Sequence, residues 1–110
     1  MLEKPFDVAR GFLHRFPEGN DPFQMMTRLL EECGELAQQV NHFEGSGVKR
    51  EKHGEPDRAH LAKEIQQVVG AALQVAVHYG VEREVEQAFE WVYGRLLQEG
   101  HIDLPDAEDS

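Results

Sequence analysis

The sequence predicts an all-α fold, an antiparallel helical bundle, and three observations carry that expectation. Apolar residues recur at steps of three and four along the long segments. The alternation of a half-buried strand is absent. Pro and Gly cluster at 17–22, 45–56, 80 and 100–105, which divides the chain into four segments of helical length. With 110 residues, 40% of them hydrophobic, the chain is expected to form one domain over 1–110.

The first segment, Phe6 to Phe16, carries Phe6, Val8, Ala9, Phe12, Leu13 and Phe16 as a helical stripe interrupted by Gly11. In the second, Asp21 suits a cap and Pro22 the first helical position. Phe23, Met26, Leu30, Cys33, Ala37 and Val40 then form its stripe, widened on one side by Leu29, Leu36 and Phe43, so a helix is expected over Pro22 to Phe43. The third opens at Pro56-Asp57, runs through Leu61, Ile65, Val68, Ala72, Val75 and Tyr79, and stops at Gly80, predicting a helix from Asp57 to Tyr79. Between Val68 and Val77 it is apolar almost all round, as expected of a helix central to the fold or lying in a subunit interface. The fourth, Val81 to Glu99, is expected to turn Val81, Val85, Ala88, Phe89, Val92 and Leu96 inward and to expose Glu82, Glu86 and Glu90. The tail Asp103 to Ser110 is half acidic and expected to fray.

Composition narrows the function. With 21 acidic against 11 basic residues the formal net charge is −10, which argues against a general basic surface for a nucleic-acid polymer. The single Cys33 excludes an internal disulfide, and six histidines without paired cysteines exclude the usual zinc-finger arrangements. A reducing cytoplasm is the expected setting. The start MLEKPFDVARGF lacks the character of a secretory signal, and the Val68–Val77 run is too short to span a bilayer, so no membrane partner is expected.

Glu31-Glu32-Cys33-Gly34-Glu35 in the second helix, set against Glu64 in the third, exceeds what a bland bundle needs. Residues three apart share a helix face, so Glu32 and Glu35 project together along the flank of the apolar stripe, and Glu64 occupies the equivalent flank beside Leu61, Ile65 and Val68. Packing the stripes together would gather three carboxylates. A divalent cation offsets their repulsion, and all-oxygen ligation suits Mg²⁺ or Mn²⁺. Glu is also a good helix former, and an isolated Glu-rich turn fits a solvated face. The position beside the apolar stripe favours the site, as does Gly34, which costs about 1 kcal/mol mid-helix and suggests close approach of a backbone or ligand.

The strings RLLEECGELAQQV and LAKEIQQVV resemble the EExxE and ExxD signature of the MazG-like all-α nucleoside triphosphate pyrophosphohydrolases, with weaker similarity over most of 22–100. The resemblance implies a MazG-like helical bundle completed by oligomerisation as a homodimer or homotetramer. It also implies Mg²⁺-dependent hydrolysis of a nucleoside triphosphate to the monophosphate and pyrophosphate, in the manner of nucleotide-pool sanitising enzymes. Carried over by position, Glu32, Glu35 and Glu64 would be metal ligands. Glu31 would be the catalytic carboxylate that orients or deprotonates the attacking water. Where the signature has Asp, this chain has Gln67, which offers the metal a carbonyl oxygen and no charge. A unit charge pair about 4 Å apart at an effective dielectric near 20 interacts by roughly 4 kcal/mol before desolvation, so a large loss of metal affinity is expected.

Lys49, Arg50, Lys52, Arg58 and Lys63 concentrate five of the eleven basic residues between the two carboxylate helices. Such a patch suits a triphosphate, with Lys49, Arg50, Lys52 and Lys63 as candidate contacts; a solvated loop is the plainer alternative. Asn41 and His42 are candidates for contacting a base or sugar. His60, Glu64, Gln67, Gln74 and His78 share one flank of the third helix, where a His near the carboxylates would favour Mn²⁺ or a later transition metal; that His60 and His78 are exposed or simply hydrogen-bonded is the preferred, plainer reading. Trp91 and Phe23 read as core or interface residues and Cys33 as core. Three functions remain: a metal-dependent hydrolase, a nucleotide- or metal-binding regulatory protein on the same fold that has lost turnover with Gln67, or an oligomeric scaffold whose acidic helices are only solubilising.

Overall fold

The computed structural model describes residues 1–45 and 54–104. Among them are four helices and no strand: α1 (Glu3–Arg15), α2 (Pro22–Phe43), α3 (Arg58–Tyr79) and α4 (Glu82–Gln98). No described helix is long and apolar enough to cross a membrane. Residues 105–110 of the tail lie outside the description.

The termini expected for α2 and α3 form as their residues dictate. Asp21 accepts from the Gln24 backbone N–H at 2.9 Å while the Gln24 side chain accepts from the Asp21 N–H, a reciprocal capping box with Pro22 at the first helical position. Asp57 caps α3 by accepting from the Ala59 N–H at 2.9 Å. Gly80 closes it at φ 68°, a left-handed conformation that Gly adopts without the Cβ penalty, and the Val81 N–H returns to the Ala76 carbonyl. Helix α1 starts at Glu3, earlier than the stripe from Phe6 suggested, because Pro5 falls within the first turn, where no intrahelical N–H is required.

Helix α3 is central: it packs against α2 and α1 and, more sparsely, against α4. One core joins Phe6 and Ala9 of α1 to Leu73 and Ala76 of α3, with Leu2, Val77 and Val85 around it. On the other side Met25 is buried, and Leu29, Leu36, Leu61, Val68 and Val75 are half-buried. Contacts pair Arg28 with Gln74, Glu32 with Gln67, and His42 with Gly54, so α2 and α3 run antiparallel.

Three expectations about facing are overturned. The α2 stripe points away from α3: Phe23 is 85% and Leu30 66% exposed, Met26 and Val40 are exposed, and so is Cys33, which is not a core residue. The flank of Met25, Leu29, Glu32 and Leu36 packs inside instead. No residue of α4 is buried; Phe89, Val92 and Trp91 are exposed, whereas Glu82 and Glu86, expected outside, are half-buried. The reason is polar: Arg10 donates to Glu82 at 3.1 Å and the Leu2 N–H donates to Glu86 at 3.3 Å, which draws the acidic face of α4 toward α1. In α1, Val8, Phe12 and Phe16 are exposed and only Phe6 and Ala9 of its stripe are buried.

Candidate functional site

Antiparallel packing brings the flank of α2 that carries Glu32 and Glu35 against the flank of α3 that carries Glu64. One carboxylate oxygen from each of the three lies within 4.8 Å of the others. Oxygen ligands of Mg²⁺ at about 2.1 Å stand at most about 4.2 Å apart, so small side-chain rotations would close the three on one cation. Glu64 is only 6% exposed, Glu32 half-buried and Glu35 exposed, so the cluster runs from the helix contact out to solvent. Burial, and then the charges of Glu35 and Glu64, push the Glu32 carboxyl above the usual carboxylate range; a side-chain hydrogen bond with Glu35 and the charge of Glu31 add to this.

Gln67 takes part directly. With its amide nitrogen turned to the carboxylates, the orientation that satisfies donor and acceptors alike, it donates at 3.1 Å to both Glu64 Oε2 and Glu32 Oε2. His60 Nε2 stands 3.4 Å from Glu64 Oε1, one turn earlier on α3. An amide and an imidazole thus converge on Glu64, the most buried of the three clustered acids. Glu31 is exposed and lies outside the convergent three, near enough to act on Glu32 through its charge.

Of the three acids Glu32 also borders a cleft, lined with it by Gln67, Arg28, Gln74, Gly70 and Phe12. It continues past Arg28 and Gln74 to Phe16 and Asn20. Arg28 was not anticipated as a site residue, although it precedes Glu32 by one helical turn. Its guanidinium donates to the Gly19 carbonyl at 2.7 Å, Asn20 Oδ1 at 3.0 Å and Gln74 Oε1 at 3.2 Å, all neutral acceptors, so its charge is not cancelled by a carboxylate within that set. Gln74, one of the polar α3 flank residues, serves to hold Arg28. Phe12 and Phe16 stack with ring centroids 6.4 Å apart at one wall.

The candidate substrate contacts are placed less uniformly. His42 is buried, its Nε2 2.7 Å from the Gly54 carbonyl, so it ties the end of α2 to the approach to α3 rather than facing an open cleft. Asn41 and Lys63 are exposed. Lys49, Arg50 and Lys52 lie outside the described residues. His78 packs edge-on against Tyr79, away from the cluster. Among the described residues nothing closes on Gly34; a Cβ there would meet nothing within 4 Å. Comparison with known protein families, curated proteins and solved structures returns no match for this chain.

Proposed function

We propose that this chain is a metal-dependent hydrolase that cleaves nucleoside triphosphates between the α and β phosphates, a MazG-like pyrophosphohydrolase of nucleotide-pool sanitising type. The observation that carries the reading is the convergence of Glu32, Glu35 and Glu64 from two helices, with Glu32 bordering a cleft that Arg28 also lines. The EExxE string and the Glu64 helix supply the family resemblance.

The donor set fits Mg²⁺, since three carboxylates supply hard oxygen ligands and the charge that a dication requires. His60 beside Glu64 leaves room for Mn²⁺. When bound, the cation polarises phosphoryl oxygens and lowers the pKa of a coordinated water. Glu32, Glu35 and Glu64 hold that charge at the helix contact. Glu31 orients the attacking water or accepts its proton, and Arg28 offers a guanidinium to a phosphate in the cleft. Gln67 would offer a bound cation its amide carbonyl oxygen as an uncharged ligand. The proposed setting is the cytoplasm, as a homodimer or homotetramer.

One observation favours a second reading. Gln67 already satisfies Glu32 and Glu64 with a neutral donor, which suits a protein that binds nucleotide or metal as a regulator without turning substrate over. A panel of ribo- and deoxyribonucleoside triphosphates with Mg²⁺ or Mn²⁺ separates the two. Pyrophosphate release that disappears in Glu35→Gln supports the hydrolase; nucleotide binding without release supports the regulator; neither result sinks both.

A further inference from the structure

The cleft beside Glu32 has an internal order. Glu32 and Gln67 border only its first part, Phe16 and Asn20 only its second, and Phe12, Arg28 and Gln74 line both. From the carboxylate outward the groups therefore run from an anion, past a guanidinium, to a pair of aromatic rings. Both rings are exposed, Phe12 by 43% and Phe16 by 55%, while the core side of α1 buries Phe6 and Ala9. They stand within 9° of parallel, centroids 6.4 Å apart. Arg15 lies against Phe16, 5.1 Å from its centroid, so Phe12 is the open platform and Phe16 its extension. We infer that Phe12 is the residue that selects a nucleoside: the base of a nucleoside triphosphate stacks on its ring, Gln74 Nε2 donates to the base edge, and Arg28 meets the phosphate nearest the sugar. The placing of the triphosphate rests on the hydrolase reading above; the aromatic shelf stands on its own geometry.

Three observations point to a base as the occupant. First, reach: Gln67 and Gln74 are seven residues apart on α3, about 10 Å by helix rise, which matches the span from the middle phosphate of an extended nucleoside triphosphate to its base. Second, character: exposed rings beside a cation and two side-chain amides suit a ligand that is aromatic on its face and polar at its edge, and a purely apolar ligand would leave Arg28 and Gln74 without a use. Third, hydrogen-bond capacity: Gln74 Oε1 is taken by Arg28, while its Nε2 has no partner among the described residues and is left to donate. Asn20 differs. Its Nδ2 donates to the Phe16 carbonyl at 2.7 Å and its Oδ1 accepts from Arg28 at 3.0 Å, so it ties the end of α1 to the guanidinium and holds the shelf in place. With one amide donor left for the base edge, stacking carries more of the affinity than hydrogen-bond readout does.

Titration calorimetry with two probes, each with Mg²⁺, tests the shelf: α,β-methylene-ATP, which resists cleavage between those phosphates, and inorganic tripolyphosphate, which has no base. The wild type should bind the nucleotide at least tenfold more tightly than tripolyphosphate. Phe12→Ala should weaken the nucleotide roughly tenfold, within the range for loss of one base-stacking ring, and leave tripolyphosphate unchanged. Phe12→Tyr should keep the wild-type affinity for both. A Phe12→Ala chain that weakens both ligands alike, or neither, overturns the inference. 5-Iodouridine triphosphate gives a readout that needs neither turnover nor a variant. Irradiated with the wild type, it should attach to Phe12 or Phe16, assigned from fragment spectra of the tryptic peptides 11–15 and 16–28. Attachment there without pyrophosphate release keeps the shelf and sinks the hydrolase; pyrophosphate release with attachment elsewhere does the reverse. A chain with no affinity for any nucleotide overturns both.

Discussion

The Gln67 amide nitrogen and Glu32 Oε2 meet across the α2–α3 contact at 3.1 Å, and the same nitrogen is 3.1 Å from Glu64 Oε2. A neutral donor thereby lies between two carboxylates that repel one another, in the place where a cation would act. Gln67 brings no charge of its own, and its two hydrogen bonds make the metal-free cluster tolerable to the fold.

Exchanging that donor for a charge should reverse both effects. Gln67→Asp is expected to tighten Mg²⁺ binding at least tenfold and to raise pyrophosphate release, although the shorter side chain has to reach through a water. Without metal it should lower the melting temperature, because a fourth acid joins the cluster and two hydrogen bonds are lost. Titration calorimetry and thermal melts with and without Mg²⁺ check both. Equal Mg²⁺ affinity in the two chains would remove position 67 from any metal site.

Glu32 contributes a pH dependence to the metal-free form. Burial, followed by the charges of Glu35 and Glu64, raises its pKa, so the folded chain binds that proton more tightly than the unfolded chain. The stabilisation is complete below the unfolded carboxyl value of about 4.3 and is lost as pH rises through the folded value of Glu32. Melts in chelator should show the wild type gaining on Glu32→Gln as pH falls from 7 toward 5. Saturating Mg²⁺, which competes with the proton, should flatten the wild-type curve.

Arg28 joins α2 to the 19–20 turn and to Gln74 on α3 through three hydrogen bonds. Arg28→Ala should cost about 2 kcal/mol, the range for charge-assisted bonds in a half-buried setting, measured by urea denaturation. Arg28→Lys should recover part of it, since an ammonium reproduces fewer of the contacts. If Arg28 also meets a phosphate, both variants should raise KM for a nucleoside triphosphate more than they lower kcat.

Asp21→Ala removes the capping-box acceptor and should destabilise the chain by about 1 kcal/mol without affecting Mg²⁺ affinity, because α2 loses a bond at an end remote from Glu32. Urea denaturation beside Mg²⁺ titration checks the separation.

Local chemistry made much of this protein legible before any tertiary contact was known. The Asp21-Pro22 and Asp57 caps, the Gly80 stop and the 3.6-residue periodicity act within a few residues of chain, and they determined that there are helices and where two of the longest begin and end. The spacing of Glu32 and Glu35 likewise put two carboxylates on one flank by helix geometry alone. Which flank packs inside was decided only in three dimensions. Helix α2 offers two adjacent apolar flanks, and the one carrying Leu29 and Leu36 packs against α3, leaving Cys33 and Leu30 exposed. Periodicity cannot rank two such faces, since each is apolar and the choice depends on what the partner helix presents. The same holds for the long-range polar pairs. Arg10 with Glu82, Arg28 with Gln74 and Gln67 with Glu32 join residues 72, 46 and 35 positions apart, and no local pattern encodes a contact that exists only once two helices have docked.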